Sequence, residues 1–107
     1  MVQVKPIKVE ASIISSIIGQ AIGFMLHLPT KKAKIFAFPK ERLTQIHMLF
    51  VFFPLIVVWL NKNKRITHLK VMHPFISFSG HKAKYILEVP YSPEIQRKLK
   101  IGQKLSW

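Results

Sequence analysis

The sequence predicts a mainly β fold of the α+β kind: a small barrel-like domain of six or seven short strands with two short helices. Three observations carry that expectation. Apolar and polar residues alternate in several short runs. Prolines and asparagines punctuate those runs at close intervals. The long apolar run from Ile46 to Leu60 is broken at Pro54, which suits two strands better than one helix. At 107 residues, with no repeat or linker in view, the chain reads as one domain over 1–107, large enough to build a core without staples.

From the N-terminus, Val2, Val4, Ile7 and Val9 alternate with polar residues across Pro6, the pattern of an interrupted edge strand. Ile13, Ile14, Ile17, Ile18, Ala21, Ile22 and Met25 fall on one stripe at helical spacing, with Ser12 as its N-cap. Residues 34–38 form a strand stopped by Pro39. The long apolar run divides into strands 48–52 and 55–60, whose unbroken hydrophobicity implies burial on both faces. Residues 61–64, with two asparagines suited to left-handed backbone, form a turn into a hairpin partner over 65–72. In that partner Thr67, Leu69 and Val71 share one face, and Ile66, His68, Lys70 and Met72 the other. Pro74 opens an extended piece that Gly80 turns, and 84–89 is a strand stopped by Pro90. Ser92-Pro93-Glu94 writes a helix start, with a serine cap, proline at the first position and an acid in the first turn. That helix runs to about Leu99; Gly102 turns the chain into a last strand over 104–107.

Composition narrows the chemistry. The chain has no cysteine, which excludes disulfides, thiolate metal sites and cysteine nucleophiles and fits a cytoplasmic protein. Lys and Arg number 17 against four acids, Glu10, Glu41, Glu88 and Glu94, for a net charge of +13. A field of that sign attracts polyanions, although lysine also serves simply to keep a hydrophobic domain in solution. Residues 11–30 and 43–60 lack charged residues, but serines, glycines and Pro54 dilute or break them, and basic residues flank both. No transmembrane span is expected. The N-terminus makes a poor signal peptide, since Pro6 and Glu10 interrupt it.

The five histidines, His27, His47, His68, His73 and His81, show no chelating spacing, and no metal or other cofactor is expected. Glycines are scattered, so no phosphate loop forms, and no serine sits in a nucleophile elbow. Catalysis is therefore the weaker reading, with Glu88 and a histidine as its acid–base candidates. Phosphate-backbone binding is the alternative to a ligand module. It would draw on Lys31, Lys32, Lys34, Lys62, Lys64, Arg65, Arg97, Lys98 and Lys100, with Tyr85, Tyr91 and Trp107 as the aromatics nearest solvent.

Several segments, taken in order, resemble one family. Ile22-Gly23-Phe24-Met25 resembles its Gly-Leu-Met motif, and Ile35-Phe36-Ala37-Phe38-Pro39 its strand ending in Phe-Pro. Ile46-His47-Met48 with Phe53-Pro54-Leu55 resembles its aromatic-Met-Lys-Asn and Pro-Leu-Asp stretches. Ala83-Lys84-Tyr85-Ile86-Leu87-Glu88-Val89-Pro90 is similar to its Tyr-Val-Leu-Glu-Leu-Pro signature, and Leu99 to Leu105 loosely matches its terminal Gly-Ile-x-x-Gly-Asp pattern. The family is domain of unknown function 192, an uncharacterised archaeal and bacterial group. The resemblance implies a small β-rich, barrel-like fold and supplies no activity. Leu49, Phe50 and Ile56 stand where the family has Lys, Asn and Asp, leaving Gly23, Met25, Met48, Pro54 and Glu88 of its motif residues. With His47 these six are the candidate ligand-binding residues of a non-enzymatic module for a small ligand or protein partner. An exposed strand edge could also support a homodimer.

Overall fold

The computed structural model describes residues 1–15, 32–47, 51–74 and 78–107, with the backbone alone for 45–47 and 78. Its strands are β1 (Val2–Val4), β2 (Val9–Ile14), β3 (Ala33–His47), β4 (Leu55–Leu60), β5 (Ile66–Met72) and β6 (Phe78–Pro90), followed by helix α1 (Pro93–Lys98). They form one six-stranded sheet in the order β1-β2-β3-β6-β4-β5. Every neighbouring pair is antiparallel except β2 and β3.

All six residues of β4 are buried, as its uninterrupted hydrophobicity predicts. Ile56, Val58 and Leu60 enter one core with Val4, Ile35, Leu87, Val89 and Leu105. Leu55, Val57 and Trp59 enter a second core with Phe36, Phe38, Ile86 and Met72. The sheet is thus apolar on both sides at its centre. A fully buried side chain of this size stabilises the fold by roughly 2 kcal/mol.

The sheet is not closed into a barrel. Its first strand is three residues long and stops at the turn containing Pro6, and among the described residues no ladder joins it to the opposite edge. Two isolated bridges cover the gap instead, pairing Lys5 with Ser106 and Arg65 with Lys104. The expected last strand is reduced to those two bridges.

Other elements differ from expectation for local reasons. Ser12 is no helix cap: Ala11–Ile14 pairs in parallel with Ala33–Phe36, because β-branched isoleucines sit more easily in a strand. The remainder of the expected helix, to Met25, and residues 48–50 of an expected strand lie outside the described residues. Residues 51–53 are not strand. Pro39 does not end β3; it falls in a bulge where the register with β6 shifts between Ala37 and Arg42, a place where a missing N–H costs no ladder bond. Gly80 likewise lies within β6, opposite Gln45. A second bulge, between Trp59 and Leu60, places Thr67 outside the register. It turns Ile66 into the core shared by Leu69 and Val71, away from Met72. In the 61–64 turn the left-handed residue is Lys64 (φ 62°). Asn61 acts through its side-chain oxygen, which accepts from the N–H groups of Asn63 and Arg65. The α1 helix starts as expected, with Ser92 Oγ accepting from the Ile95 N–H. Among the described residues no helix is long and apolar enough to cross a membrane.

Candidate functional site

Two loops meet at one end of the sheet: the β1–β2 turn and the segment joining β6 to α1. Between them lies a groove of about 760 Å³, lined by Ile7, Lys8, Val9, Glu10, Lys32, Pro90, Tyr91, Ser92, Glu94, Ile95 and Lys98. Each wall is held for a physical reason. Ile7 and Val9 are anchored in the first core, which fixes the turn between them, where Lys8 has φ 57°. The Tyr91 N–H donates to the Pro54 carbonyl at 2.9 Å, and its hydroxyl donates to Gln96 Oε1 at 3.0 Å. Ile95 packs its apolar side on the first core. The floor is therefore apolar and rigid while the rim carries both signs: Lys8, Lys32 and Lys98 against Glu10 and Glu94. The last acid and Lys98 form an ion pair at 3.4 Å on the helix surface.

Glu88 sits one side-chain repeat inward along β6 from Pro90, on the same face of the strand. It is 5% exposed and stands opposite Lys34 on β3 and Val57 on β4. Burial pushes its carboxyl up to about 7, and the Lys34 ammonium offsets part of that rise. Burial also holds Lys34 below the usual lysine value, with the Glu88 charge acting the other way. Ser12 completes the row as Lys34's partner on β2.

A second polar cluster lies where β6 passes β5. The His68 and His81 rings stack with centroids 3.8 Å apart and 7° between planes, and Trp59 meets His81 edge-on at 4.8 Å. Burial, then the neighbouring His68 and Lys70, holds the His81 imidazole below its usual value. The Trp59 indole N–H is buried without a hydrogen-bond partner among the described residues. Also among the described residues, no three metal-ligating side chains gather.

The sequence-predicted ligand residues divide. Pro54 adjoins the groove through the Tyr91 hydrogen bond, whereas Glu88 lies outside the lining, on the sheet face it shares with Val57 of the second core. His47 pairs with Phe78, at the opposite end of β6 from Glu88. Gly23, Met25 and Met48 lie outside the described residues. Of the predicted phosphate contacts, Lys34 is turned onto Glu88, Lys31 is outside the described residues, and Lys32 and Lys98 line the groove. Lys62, Arg65 and Lys100 are exposed. The Lys64 ammonium instead sits 4.2 Å from the Trp107 ring centroid, and Trp107 meets Tyr85 edge-on at 5.1 Å. Those aromatics cap the first core. Sequence reasoning missed Ile7, Lys8, Glu10 and Ile95 as lining residues, and named Tyr91 only as an exposed aromatic. The turn at Pro6 and the cap at Ser92 marked both loops, but nothing in the sequence says that two such distant loops meet.

An open mixed sheet, apolar on both sides, with a capped helix beside a groove at its strand ends, defines a small β-rich class of protein. The family model for domain of unknown function 192, described as Uncharacterized ACR, matches residues 2–107, and the chain belongs to that family. A UPF0127 protein of Pyrococcus furiosus is 29% identical over 106 residues, covering 96% of this chain and 90% of the relative. A UPF0127 protein of Pyrococcus horikoshii is 30% identical over 101 residues, covering 92% and 87%. Among solved structures, a protein of unknown function from Novosphingobium aromaticivorans superposes with a TM-score of 0.79 at 17% identity, over 99% of this chain and 84% of that one. A candidate transcription regulator from Sinorhizobium meliloti gives 0.77 at 14% identity, over 90% and 79%. At those identities the likeness establishes a shared fold.

Proposed function

We propose that the chain is a non-enzymatic binding module that takes up a small ligand in the groove between the β1–β2 turn and α1. The groove itself carries this reading: its volume of about 760 Å³ falls in the range of small-molecule sites, which combine apolar walls with a few placed polar groups. A rim of lysines and glutamates over the apolar Ile7, Val9, Pro90 and Ile95 suits a ligand that bears both charges around an apolar part, as an amino acid or a short peptide does.

The test is a panel of amino acids and dipeptides screened by saturation-transfer NMR, repeated with Ile95→Arg, which fills the groove, and with Glu10→Lys, which alters only its rim charge. At least one compound should bind, weakened tenfold or more by Ile95→Arg in a variant that still unfolds cooperatively. Glu10→Lys should shift preference away from compounds bearing a free amine. A panel without a binder, or a binder indifferent to both substitutions, contradicts the reading.

A further inference from the structure

The end of the molecule closed by the two isolated bridges carries a cationic strip. Leu105 is fully buried in the first core, so alternation turns Lys104 and Ser106 outward. The bridge partners obey the same rule: Arg65 is exposed beside buried Ile66, and Lys5 is exposed beside buried Val4. Lys5, Lys104 and Arg65 thus lie on one outer surface, side by side across three segments.

Backbone hydrogen bonds hold that surface rigid. The Lys5 and Ser106 N–H groups donate to each other's carbonyls at 2.8 and 3.0 Å, Ile66 N–H donates to Gln103, and Leu105 N–H to Lys64. Arg65 Nη1 donates to the Gly102 carbonyl at 3.1 Å, which fixes the guanidinium at the surface. Lys100, also exposed, precedes the Gly102 turn, its N–H held by Gln103 Oε1. The acids are mostly committed elsewhere: Glu88 is buried, Glu94 pairs with Lys98, and Glu10 lines the groove. Glu41 accepts from the Lys62 N–H at 2.8 Å, in the turn that leads into Arg65.

We infer that this strip binds the phosphate backbone of nucleic acid, independently of sequence and of the groove. A line of exposed cations set on hydrogen-bonded backbone, in a chain of net charge +13, complements a linear polyanion, and such contacts are strengthened by counterion release. A membrane surface fits less well. Ile101, 62% exposed, is the one large apolar side chain among the described residues of this 100–106 segment that reaches solvent, and insertion needs a broad apolar face. Base stacking has no part in the contact, because Tyr85 and Trp107 cap the core on the inner side.

The measurement is fluorescence anisotropy with labelled single-stranded RNA and duplex DNA of about 20 nucleotides, over a salt series. Both should bind, with affinity falling steeply as salt rises. The double reversal Arg65→Glu/Lys104→Glu should weaken both at least tenfold and flatten the salt dependence by about two phosphate contacts. The neutral pair Arg65→Gln/Lys104→Gln should do the same more mildly, and Glu41→Gln should tighten binding. The control reversal Arg97→Glu/Lys98→Glu on α1 should cost only a few-fold. Equal loss from the α1 reversal, a salt-independent affinity, or tighter binding to phosphatidylglycerol vesicles than to either nucleic acid would overturn the inference.

Discussion

At Glu88, burial and pairing act in opposite directions on one carboxyl. Its value near 7 stands above the usual 4.5, so between those pH values the folded chain holds a proton that the unfolded chain has released. Stability from this group is therefore greatest below about 4.5 and falls as pH rises to about 7. The shift amounts to about 3 kcal/mol across that window. His81 works the other way, since its lowered value makes stability rise with pH as the unfolded imidazole loses its proton. The informative quantity is thus the difference between parent and Glu88→Gln, which isolates one group. Glu88→Gln should gain stability relative to the parent progressively from pH 5 to pH 8 in urea titrations. Parallel curves would show that Glu88 titrates as an ordinary exposed acid. The sequence marked Glu88 as a site residue through its signature, yet gave no sign of Lys34 opposite, because that pairing depends on a register set by two distant strands.

Elements were legible where local chemistry alone decides them. The cap at Ser92, the burial of β4 and the 61–64 turn follow from residues within a few positions of one another. Elements were misread where a bulge intervened: Pro39 and Gly80 lie inside strands, and Ile66 changes face because Thr67 is out of register. Ser12 and the isoleucines after it satisfied a helical period, but pairing with β3 decided the described part for strand. The turn at Gly102 gives a clean test of local backbone chemistry. Gly102 has φ +87°, and a Cβ there would meet nothing within 4 Å. The cost of Gly102→Ala is therefore backbone strain alone, about 1 kcal/mol, or roughly 4 °C in melting midpoint. An unchanged midpoint would mean the turn relaxes freely, and the bridge between Arg65 and Lys104 with it.

Across the whole molecule, the apolar sheet carries two working surfaces that adjoin at the β1–β2 turn, where Lys5 stands two residues from Ile7. One holds the groove, where both signs of charge surround apolar walls; the other holds the cationic strip across the two bridges. Net charge was legible from composition, but its division between a mixed rim and a single-sign strip was not, since it arises from the outward alternation of Lys5, Arg65 and Lys104. The family's motif residues likewise pointed to Pro54, whose carbonyl holds Tyr91, without revealing the β1–β2 turn opposite Tyr91. Above all, the groove should receive a ligand. The most direct measurement is a ¹⁵N–¹H amide titration with the tightest-binding compound of the amino-acid and dipeptide panel. Shifts should concentrate at Ile7 to Glu10, Lys32 and Tyr91 to Lys98 and leave Arg65 and Lys104 unmoved. Shifts centred on the strip, or scattered over the sheet with the groove silent, would contradict it.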